Sequence, residues 1–447
     1  MRYGIRRCIA ALFAVILTMI NMTYLAVSID AADADNYKVG NVDAYYLYNF
    51  ENDRVLAESG ADKVLYPAST VKIMTGIVAA ETFADDLDRQ ITVTSEIYSE
   101  IKKVGTSYAK LGDGEIVSVK DMLYACLIGG DNGSACVLAY AVAGGIDEFV
   151  TVMNEKAALL GALDTNYTNP TGLHDDNMVT TIGDTAKIAK HAANNAVIAE
   201  IVATPKYVME TNLKEYHTIY NRNCLISKYY NTYDAAYRYE PATGMNAGMT
   251  LNAGNVVVST AKNKDGDLTY LAIAMGDHTE THAEDVNANY AYESVIALFE
   301  QAFAEWGYID VLSTDKIICE VPVSLSSAID HVTLSPKEKI RVYLPTSTDI
   351  DKDIEYSYTT MYETMPAPVK MGEVVGNVTV MYKGEVLGSA ELITTVEIER
   401  SELLYTLSQI EEFTKSKFFI GTVVSAVVLT VAYVLVNARI KSRSRGF

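Results

Sequence analysis

Two kinds of hydrophobic periodicity divide the central part of the chain. From about Val42 to Tyr308, strand-like stretches such as "DAYYLYNF" and "VVVSTA" alternate with Ala-rich helical stretches such as "TVKIMTGIVAAE" and "DTAKIAKHAANN". From about Ile317 to Glu399 the pattern is short, β-branched and of period two, as in "IRVYLP" and "IEYSYTT". The first pattern predicts an α/β (α+β) domain over residues 40–308, and the second predicts a small all-β domain over residues 309–400.

The N-terminal end carries a long uncharged apolar run. Arg2, Arg6 and Arg7 precede it, it extends from Cys8 to Ile29, and small residues follow it in "AADA". A basic start, an apolar centre and small residues at the end are typical of a secretory signal peptide, which we place at residues 1–34. The run is long for such a signal, so an uncleaved anchor is the alternative.

The C-terminal end has a second apolar run, from Phe418 to Ala438, which contains no charged residue. It is long enough to cross a bilayer as a helix, and the basic tail at residues 439–447 is of the kind that stays in the cytoplasm. Residues 401–417, "SELLYTLSQIEEFTKSK", place their apolar side chains on one helical face and predict an amphipathic stalk or interfacial segment. We therefore expect a single-pass protein of the cell membrane, with its body on the extracytoplasmic face and its C-terminus in the cytoplasm.

Composition narrows the function classes. The 447 residues carry a net charge of -21, which argues against a nucleic-acid partner because such proteins present a basic surface. The six histidines lie far apart, so the sequence predicts no metal site and no cofactor. The cysteines that follow the signal match no metal pattern and are expected to be buried free thiols, with a Cys126–Cys136 bridge as the alternative.

Candidate chemistry lies in "YPASTVK", where Ser69 precedes Lys72 by three residues. The same spacing occurs at three other serine–lysine pairs, so the spacing alone carries little information. Only Ser69 stands at the start of an apolar helical pattern, which puts Lys72 one turn further on the same face. The amine is then within reach of the hydroxyl, and the helix N-terminus favours the negative charge that develops when the serine attacks a carbonyl group.

Three segments resemble one family. "VLYPASTVKIMTGIVAAE" is similar to the nucleophile segment of the low-molecular-weight penicillin-binding proteins, the serine D-Ala-D-Ala carboxypeptidases of peptidoglycan. "LGALDTNYTNPTGLHDDNMVTTIGDTAKIA", residues 160–189, resembles their signature around "NPxGLHD", and "APVKMGEVVGNVTVMYKGEVLGSAELITTVEIE" resembles the β-sandwich that follows their catalytic domain. The resemblance implies a serine β-lactamase/transpeptidase-like domain, a small β-sandwich and a C-terminal membrane anchor. It also implies peptidoglycan stem peptides and β-lactams as ligands, without a cofactor.

In this family the active site is built from the motifs Ser-x-x-Lys, Ser-x-Asn and Lys-Thr-Gly. The first is intact at Ser69 and Lys72. The second aligns with Gly130-Asp131-Asn132, so the motif serine is absent; Asn132 is still expected to bind a substrate amide or the lysine. Ser134 would supply a hydroxyl only if the loop took a different register.

The third motif is aligned with Ala242-Thr243-Gly244, in which alanine replaces the lysine that would face the substrate carboxylate. By correspondence with the family, Thr243 is expected to donate to that carboxylate, and the Met245 N–H is expected to form the oxyanion hole with the N–H of Ser69. Lys228 and Arg238 are nearby cations in the sequence.

These replacements leave three functional hypotheses. Lys72 must be neutral to accept the serine proton, whereas a free lysine has a pKa of about 10.4; loss of the second lysine and the presence of Asp131 both act against that neutral form. The first hypothesis is a serine-type D-Ala-D-Ala carboxypeptidase acting on stem peptides through an acyl-enzyme on Ser69. The second is a catalytically impaired homologue that serves as a membrane-tethered peptidoglycan-binding or regulatory protein. The third is a membrane-tethered interaction protein that uses the β domain for docking.

His174 in "GLHDD" is predicted to be a structural loop residue, because a serine–lysine site needs no histidine base.

Overall fold

The computed structural model describes residues 37–105, 108–214, 216–227, 234–279 and 289–443. The predicted signal peptide at 1–34 lies outside these ranges. The chain divides into two compact units that meet in sequence between Gly307 and Tyr308.

The first unit contains a central antiparallel sheet and two small two-stranded sheets. Its strands are β1 (Ala44–Asn49), β2 (Arg54–Ser59), β3 (Gln90–Thr92), β4 (Ile116–Ser118), β5 (Lys206–Met209), β6 (His217–Tyr220), β7 (Ala242–Thr250), β8 (Gly254–Lys262) and β9 (Thr269–Asp277). The central sheet has the order β2-β1-β9-β8-β7, and β3–β4 and β5–β6 form the two-stranded sheets. β8 and β9 are buried along nearly their whole length, which explains why they appear in the sequence as almost continuous apolar runs. β7 forms one edge of the sheet.

Helices surround this sheet. They are α1 (Val71–Thr82), α2 (Ser95–Val104), α3 (Val119–Leu127), α4 (Asn132–Ala143), α5 (Ile146–Leu159), α6 (Ile182–Ala193), α7 (Ala196–Ala203) and α8 (Tyr290–Glu305). The first ten residues of α1 are all buried, as expected for a helix that is apolar on every side and lies in the core. α1 packs against α3, α4 and α5, so the residue at its N-terminus is held on a rigid support.

The second unit is mainly β structure. Its elements are β10 (Trp306–Leu312), which begins at the boundary, β11 (Cys319–Ser324), β12 (His331–Pro336), β13 (Ile340–Pro345), α9 (Ile350–Asp353), β14 (Ile354–Thr360), β15 (Met365–Pro366), β16 (Val374–Tyr382) and β17 (Glu385–Thr394). Six strands form a sheet of order β14-β16-β17-β12-β11-β15, and β10 pairs with β13. The predicted fold class, an α/β domain followed by an all-β domain, is confirmed.

Two helices complete the chain, α10 (Glu402–Lys415) and α11 (Lys417–Arg443). The apolar face predicted for the stalk, including Leu407 and Phe413, is exposed on α10. Within α11 the stretch Lys417–Arg439 has a mean hydropathy of 2.4, is unburied, and is long and apolar enough to cross a membrane. α4 and α5 together pass the same length and composition test, but they are bent by 83° relative to each other and contribute to the core of the first unit.

Candidate active site

The predicted nucleophile lies on a tight turn that leads into the central helix. Residues Ala68–Thr70 form a turn of 3-10 helix directly before α1, and the Thr70 hydroxyl donates to the Pro67 carbonyl oxygen at 2.5 Å. Ala68 has a φ of 48°, a left-handed conformation that is costly for a residue with a side chain. Ser69 itself is half-buried. The structure therefore presents Ser69 at a helix N-terminus, as the sequence predicted, and the turn that carries it is strained.

Lys72 is buried directly beneath this turn. Its side chain has no exposed surface, and its amine donates a hydrogen bond to the carbonyl oxygen of Thr171. Burial, the main cause, lowers the pKa of Lys72 from 10.5 to about 8 because the charged form loses its hydration. A lysine with this pKa is partly neutral near physiological pH, which is the form that accepts a proton from a serine.

The "NPTGLHD" loop holds the lysine in place. The Asn169 side-chain oxygen accepts hydrogen bonds from the N–H groups of Thr171 (3.1 Å) and Gly172 (2.9 Å) and from the Thr171 hydroxyl (2.7 Å). Thr75 on α1 donates to the Pro170 carbonyl oxygen at 2.8 Å. These bonds fix the loop against α1, so that the Thr171 carbonyl faces Lys72.

The loop needs a glycine at position 172 for a steric reason. A Cβ atom at this position would lie 2.0 Å from the Ala68 carbonyl oxygen, and its φ of 77° already favours glycine. The loop therefore packs directly on the backbone of the nucleophile turn. His174, two residues further along, forms hydrogen bonds through its ring nitrogen Nε2 with Asn252 (2.7 Å) and Asp176 (3.1 Å). Its ring packs edge-on against Tyr66. These contacts are those of a structural loop residue.

The second motif begins α4. Gly130 has a φ of 62°, Asp131 is the N-cap and Asn132 is the first helical residue, 7% exposed. The Ser134 hydroxyl donates to the Asp131 carbonyl oxygen at 3.0 Å and is fully buried. Ser134 is thus a helix residue bonded to its own turn, and it does not replace the missing motif serine.

The third motif lies four residues further along β7 than the sequence alignment placed it. A Cβ atom on Gly248 would lie 2.5 Å from the Ser69 Cβ and 2.9 Å from its backbone nitrogen, whereas one on Gly244 would meet Val202. Gly248 is therefore the glycine that lets the strand approach the nucleophile. The motif position beside the serine is Asn246-Ala247-Gly248.

The residues assigned earlier to this motif lie away from the serine. The Thr243 hydroxyl hydrogen-bonds that of Thr260 at 2.9 Å, and both line a separate cavity of about 420 Å³. Met245 is 1% exposed and belongs to the core, and Ala242 starts the strand. The placement of Ala242, Thr243, Gly244 and Met245 in the site was wrong, because a Thr-Gly pair is a weaker signal than the steric need for glycine at the point of contact.

Asn246 takes the position of the missing lysine. It is 3% exposed, and its amide nitrogen donates to the Leu127 carbonyl oxygen at 2.9 Å. Its side-chain oxygen is buried, with no hydrogen-bond partner among the described residues. A neutral amide therefore occupies the position at which the motif named above predicts a cation.

A cation that the sequence did not single out lies at the same site. Arg222, which follows β6, lines a cavity of about 130 Å³ together with the strand edge at Ala247, Gly248 and Met249. A Cβ atom on Gly130 would meet the Arg222 Cδ at 3.4 Å, so this side chain also covers the second motif. Arg222 belongs to no local sequence motif, so only its position in the folded structure identifies it as a cation near the site.

Two further cations, Arg238 and Lys228, and two thiols, Cys126 and Cys136, were also considered in the sequence. The Arg238 guanidinium donates to the carbonyl oxygens of Leu225 and Tyr239, and Lys228 lies outside the described residues. Cys126 and Cys136 are buried free thiols, and burial raises the pKa of each to about 12.

Two family models match the chain. The sequence model of the family described as "D-alanyl-D-alanine carboxypeptidase" matches residues 33–279. A second, described as "Penicillin-binding protein 5, C-terminal domain", matches residues 306–400.

Similar proteins span most of the chain. The D-alanyl-D-alanine carboxypeptidase DacF of Bacillus subtilis is 25% identical over 83% of this chain and 90% of its own length. DacC of Escherichia coli, with the same description, is 25% identical over 80% of this chain and 84% of its own. The crystal structure of penicillin binding protein 5 from Haemophilus influenzae superimposes with a TM-score of 0.54 at 22% identity, over 80% of this chain and 98% of that one, which shows a shared fold.

Proposed function

Because this chain belongs to the D-alanyl-D-alanine carboxypeptidase family, we propose that it is a serine-type carboxypeptidase that removes the terminal D-alanine from peptidoglycan stem peptides. The observation that carries this proposal is a solvent-shielded lysine, with a pKa lowered to about 8, one helical turn from a serine on a strained turn. Such a pair is suited to nucleophilic catalysis without a histidine.

In the proposed reaction, neutral Lys72 takes the proton from the Ser69 hydroxyl as its oxygen attacks the carbonyl carbon between the two D-alanines. The N–H groups of Ser69 and Met249 stabilise the oxyanion, since Met249 follows the glycine that touches the serine. The C–N bond then breaks, and the proton passes from Lys72 to the amine of the leaving D-alanine. Water hydrolyses the acyl-enzyme, with Lys72 again accepting a proton.

Substrate binding is assigned to the residues around this pair. Asn132, at the start of α4, binds the peptide amide. Arg222 supplies the positive charge for the terminal carboxylate, because Asn246 carries none and Arg222 borders the strand edge beside Gly248. An arginine suits this role, since its planar guanidinium binds a carboxylate through two hydrogen bonds.

The same proposal places the protein in the cell envelope. The Lys417–Arg439 helix stretch anchors the chain in the membrane, with the basic C-terminus in the cytoplasm and the catalytic unit outside. β-Lactams are expected to acylate Ser69, because they present a strained amide to the same nucleophile.

Labelling with a fluorescent penicillin tests the proposal. The full chain in mild detergent is expected to form a covalent adduct that is lost in Ser69→Ala and in Lys72→Met. Ser95→Ala is the matched control, because Ser95 also begins a helix but is exposed on α2; it should label normally. Release of D-alanine from a stem pentapeptide is then measured, and Arg222→Gln should raise its KM more than it lowers kcat.

A negative labelling result would reject the proposal. An absence of labelling at high penicillin concentration and across pH 6–10, with the protein folded, would reject an acylating enzyme. It would favour the catalytically impaired homologue, in which Gly130 and Asn246 replace groups that the reaction needs.

A further inference from the structure

One aromatic ring contacts the cation to which the substrate carboxylate is assigned. The guanidinium carbon of Arg222 lies 4.5 Å from the centre of the Tyr108 ring, within the range of a cation–π contact. Tyr108 is 39% exposed, so the pair is at the surface of the first unit. Arg222 also lines the cavity beside Gly248, which places the tyrosine one contact away from the proposed site.

Hydrogen bonds hold the backbone around Tyr108 in place. Its carbonyl oxygen accepts a hydrogen bond from Nε2 of His217, on β6, at 2.8 Å. The next N–H group, that of Ala109, donates to the side chain of Asp131, the N-cap of α4, at 2.9 Å. Arg222 follows β6 directly in the chain. The backbone at Tyr108 is therefore fastened to β6 and to the start of α4.

The arginine is fixed from its own end as well. Its backbone N–H donates to the Ile128 carbonyl oxygen at 2.9 Å. A Cβ atom on Gly130 would lie 3.4 Å from the Arg222 Cδ and 3.6 Å from its Nη1, so the side chain also runs close to the second motif. A long arginine side chain has many rotamers to lose when it is ordered. The contacts at Tyr108 and Gly130 restrict it before a ligand binds.

An aromatic contact suits an arginine that must bind an anion. The ring attracts the guanidinium through its quadrupole and, unlike a carboxylate, does not cancel the positive charge. The cation is therefore held in one place while it keeps its attraction for a carboxylate. Asn246 supplies no charge at the third motif, so carboxylate binding depends on where Arg222 is held.

We propose that Tyr108 is a positioning residue for substrate binding, which holds the Arg222 guanidinium where it binds the terminal carboxylate and thereby makes the site select stem peptides that end in a free carboxylate. The proposal rests on the proposed role of Arg222 in carboxylate binding. Tyr108 acts through Arg222 and not on the bond that is cleaved. Its loss should therefore weaken binding of the peptide without slowing the chemical step.

Equilibrium binding to a Ser69→Ala chain tests this proposal without turnover. The full chain in mild detergent is titrated with two stem pentapeptides, one ending in a carboxylate and one in a carboxamide, and ligand-observed NMR gives the dissociation constants. The parent chain should prefer the carboxylate peptide. Tyr108→Leu should weaken binding of that peptide about threefold to tenfold, the size of a cation–π contact, and leave the carboxamide peptide unchanged. Tyr108→Phe keeps the ring and should bind both peptides as the parent does.

Two further chains separate positioning from a general structural effect. In the Arg222→Gln background, Tyr108→Leu should cause no further loss, because the ring then has no cation to hold. Tyr98→Leu is the matched control: Tyr98, on α2, also contacts a cation, with Lys102 Nζ 4.3 Å from its ring centre, and its loss should leave both constants unchanged. An equal loss for the two peptides, no loss for either, or no preference in the parent chain overturns the proposal.

Steady-state kinetics of chains that keep Ser69 distinguish this proposal from the proposed function. Tyr108→Leu should raise the KM for D-alanine release by the same factor as the dissociation constant and keep kcat within about twofold. A fall in kcat with an unchanged KM overturns the positioning role. If no chain acylates or releases D-alanine, the proposed function fails, and the binding constants still decide whether Tyr108 positions Arg222.

Discussion

Burial of Lys72 should make the stability of the first unit rise with pH in the alkaline range. The folded state lowers the pKa of this amine from 10.5 to about 8, so the unfolded chain binds more protons between those values. Stability therefore increases as pH rises through this window. At about 1.36 kcal/mol per tenfold change in proton affinity, the shift corresponds to about 3 kcal/mol.

Replacing the lysine isolates this contribution. Lys72→Met keeps the length and apolar character of the side chain and removes the charge, at the cost of the hydrogen bond to Thr171. That cost is nearly independent of pH, whereas the charge-burial penalty of the wild type is present below pH 8 and disappears towards pH 10.5. The stability of Lys72→Met relative to the wild type should therefore be about 3 kcal/mol more favourable at pH 7 than at pH 10.5.

Urea unfolding of the full chain in mild detergent measures this difference. The fluorescence of Trp306 follows the transition, since the chain has a single tryptophan and it is buried. Lys264→Met is the control, because Lys264 is exposed on a turn and its removal should give a difference that does not change with pH. A flat difference for Lys72→Met as well would refute the argument that burial makes this lysine a base.

Other substitutions test the geometry of the site. Gly248→Ala should reduce acylation at least about 100-fold, because its Cβ would overlap Ser69; near-normal labelling would place the third motif elsewhere. Asn246→Lys should increase acylation at pH 7 several-fold, whereas Ala242→Lys should leave it unchanged, and the reverse ranking would restore the earlier alignment. Asn169→Ala removes four hydrogen bonds that shape the loop over the lysine; acylation should fall about tenfold and the free energy of unfolding should decrease by about 2 kcal/mol.

Local sequence context was sufficient to place Ser69 and Lys72 together at the start of a helix. Ser69 and Lys72 follow from a turn, a helix start and helical spacing, all of which are properties of neighbouring residues. The fold class followed in the same way from the change between mixed and period-two patterns. These features depend on short stretches of chain, which is why they could be predicted.

The third motif depends on a contact between distant segments. "PATGMNAGMTLNAG" offers more than one glycine to an alignment, and the choice depends on which one faces the turn at residues 68–70. The period of two along β7 does not choose between Gly244 and Gly248, because residues four apart on a strand lie on the same face. Arg222 had no comparable signal, since it reaches the site from the segment after β6 and stands in no motif.

The pKa of Lys72 is therefore lowered by a different balance of forces from the one that a second lysine would provide. Where the family has a second lysine, this chain has a neutral amide whose oxygen has no partner among the described residues, so electrostatic repulsion from that position is absent. Exclusion of water becomes the main cause of the lowered pKa of Lys72. In the proposed mechanism, the loop that Asn169 shapes is needed for catalysis, because an opening that admits water to the lysine would raise its pKa and favour the ammonium form, which cannot accept a proton.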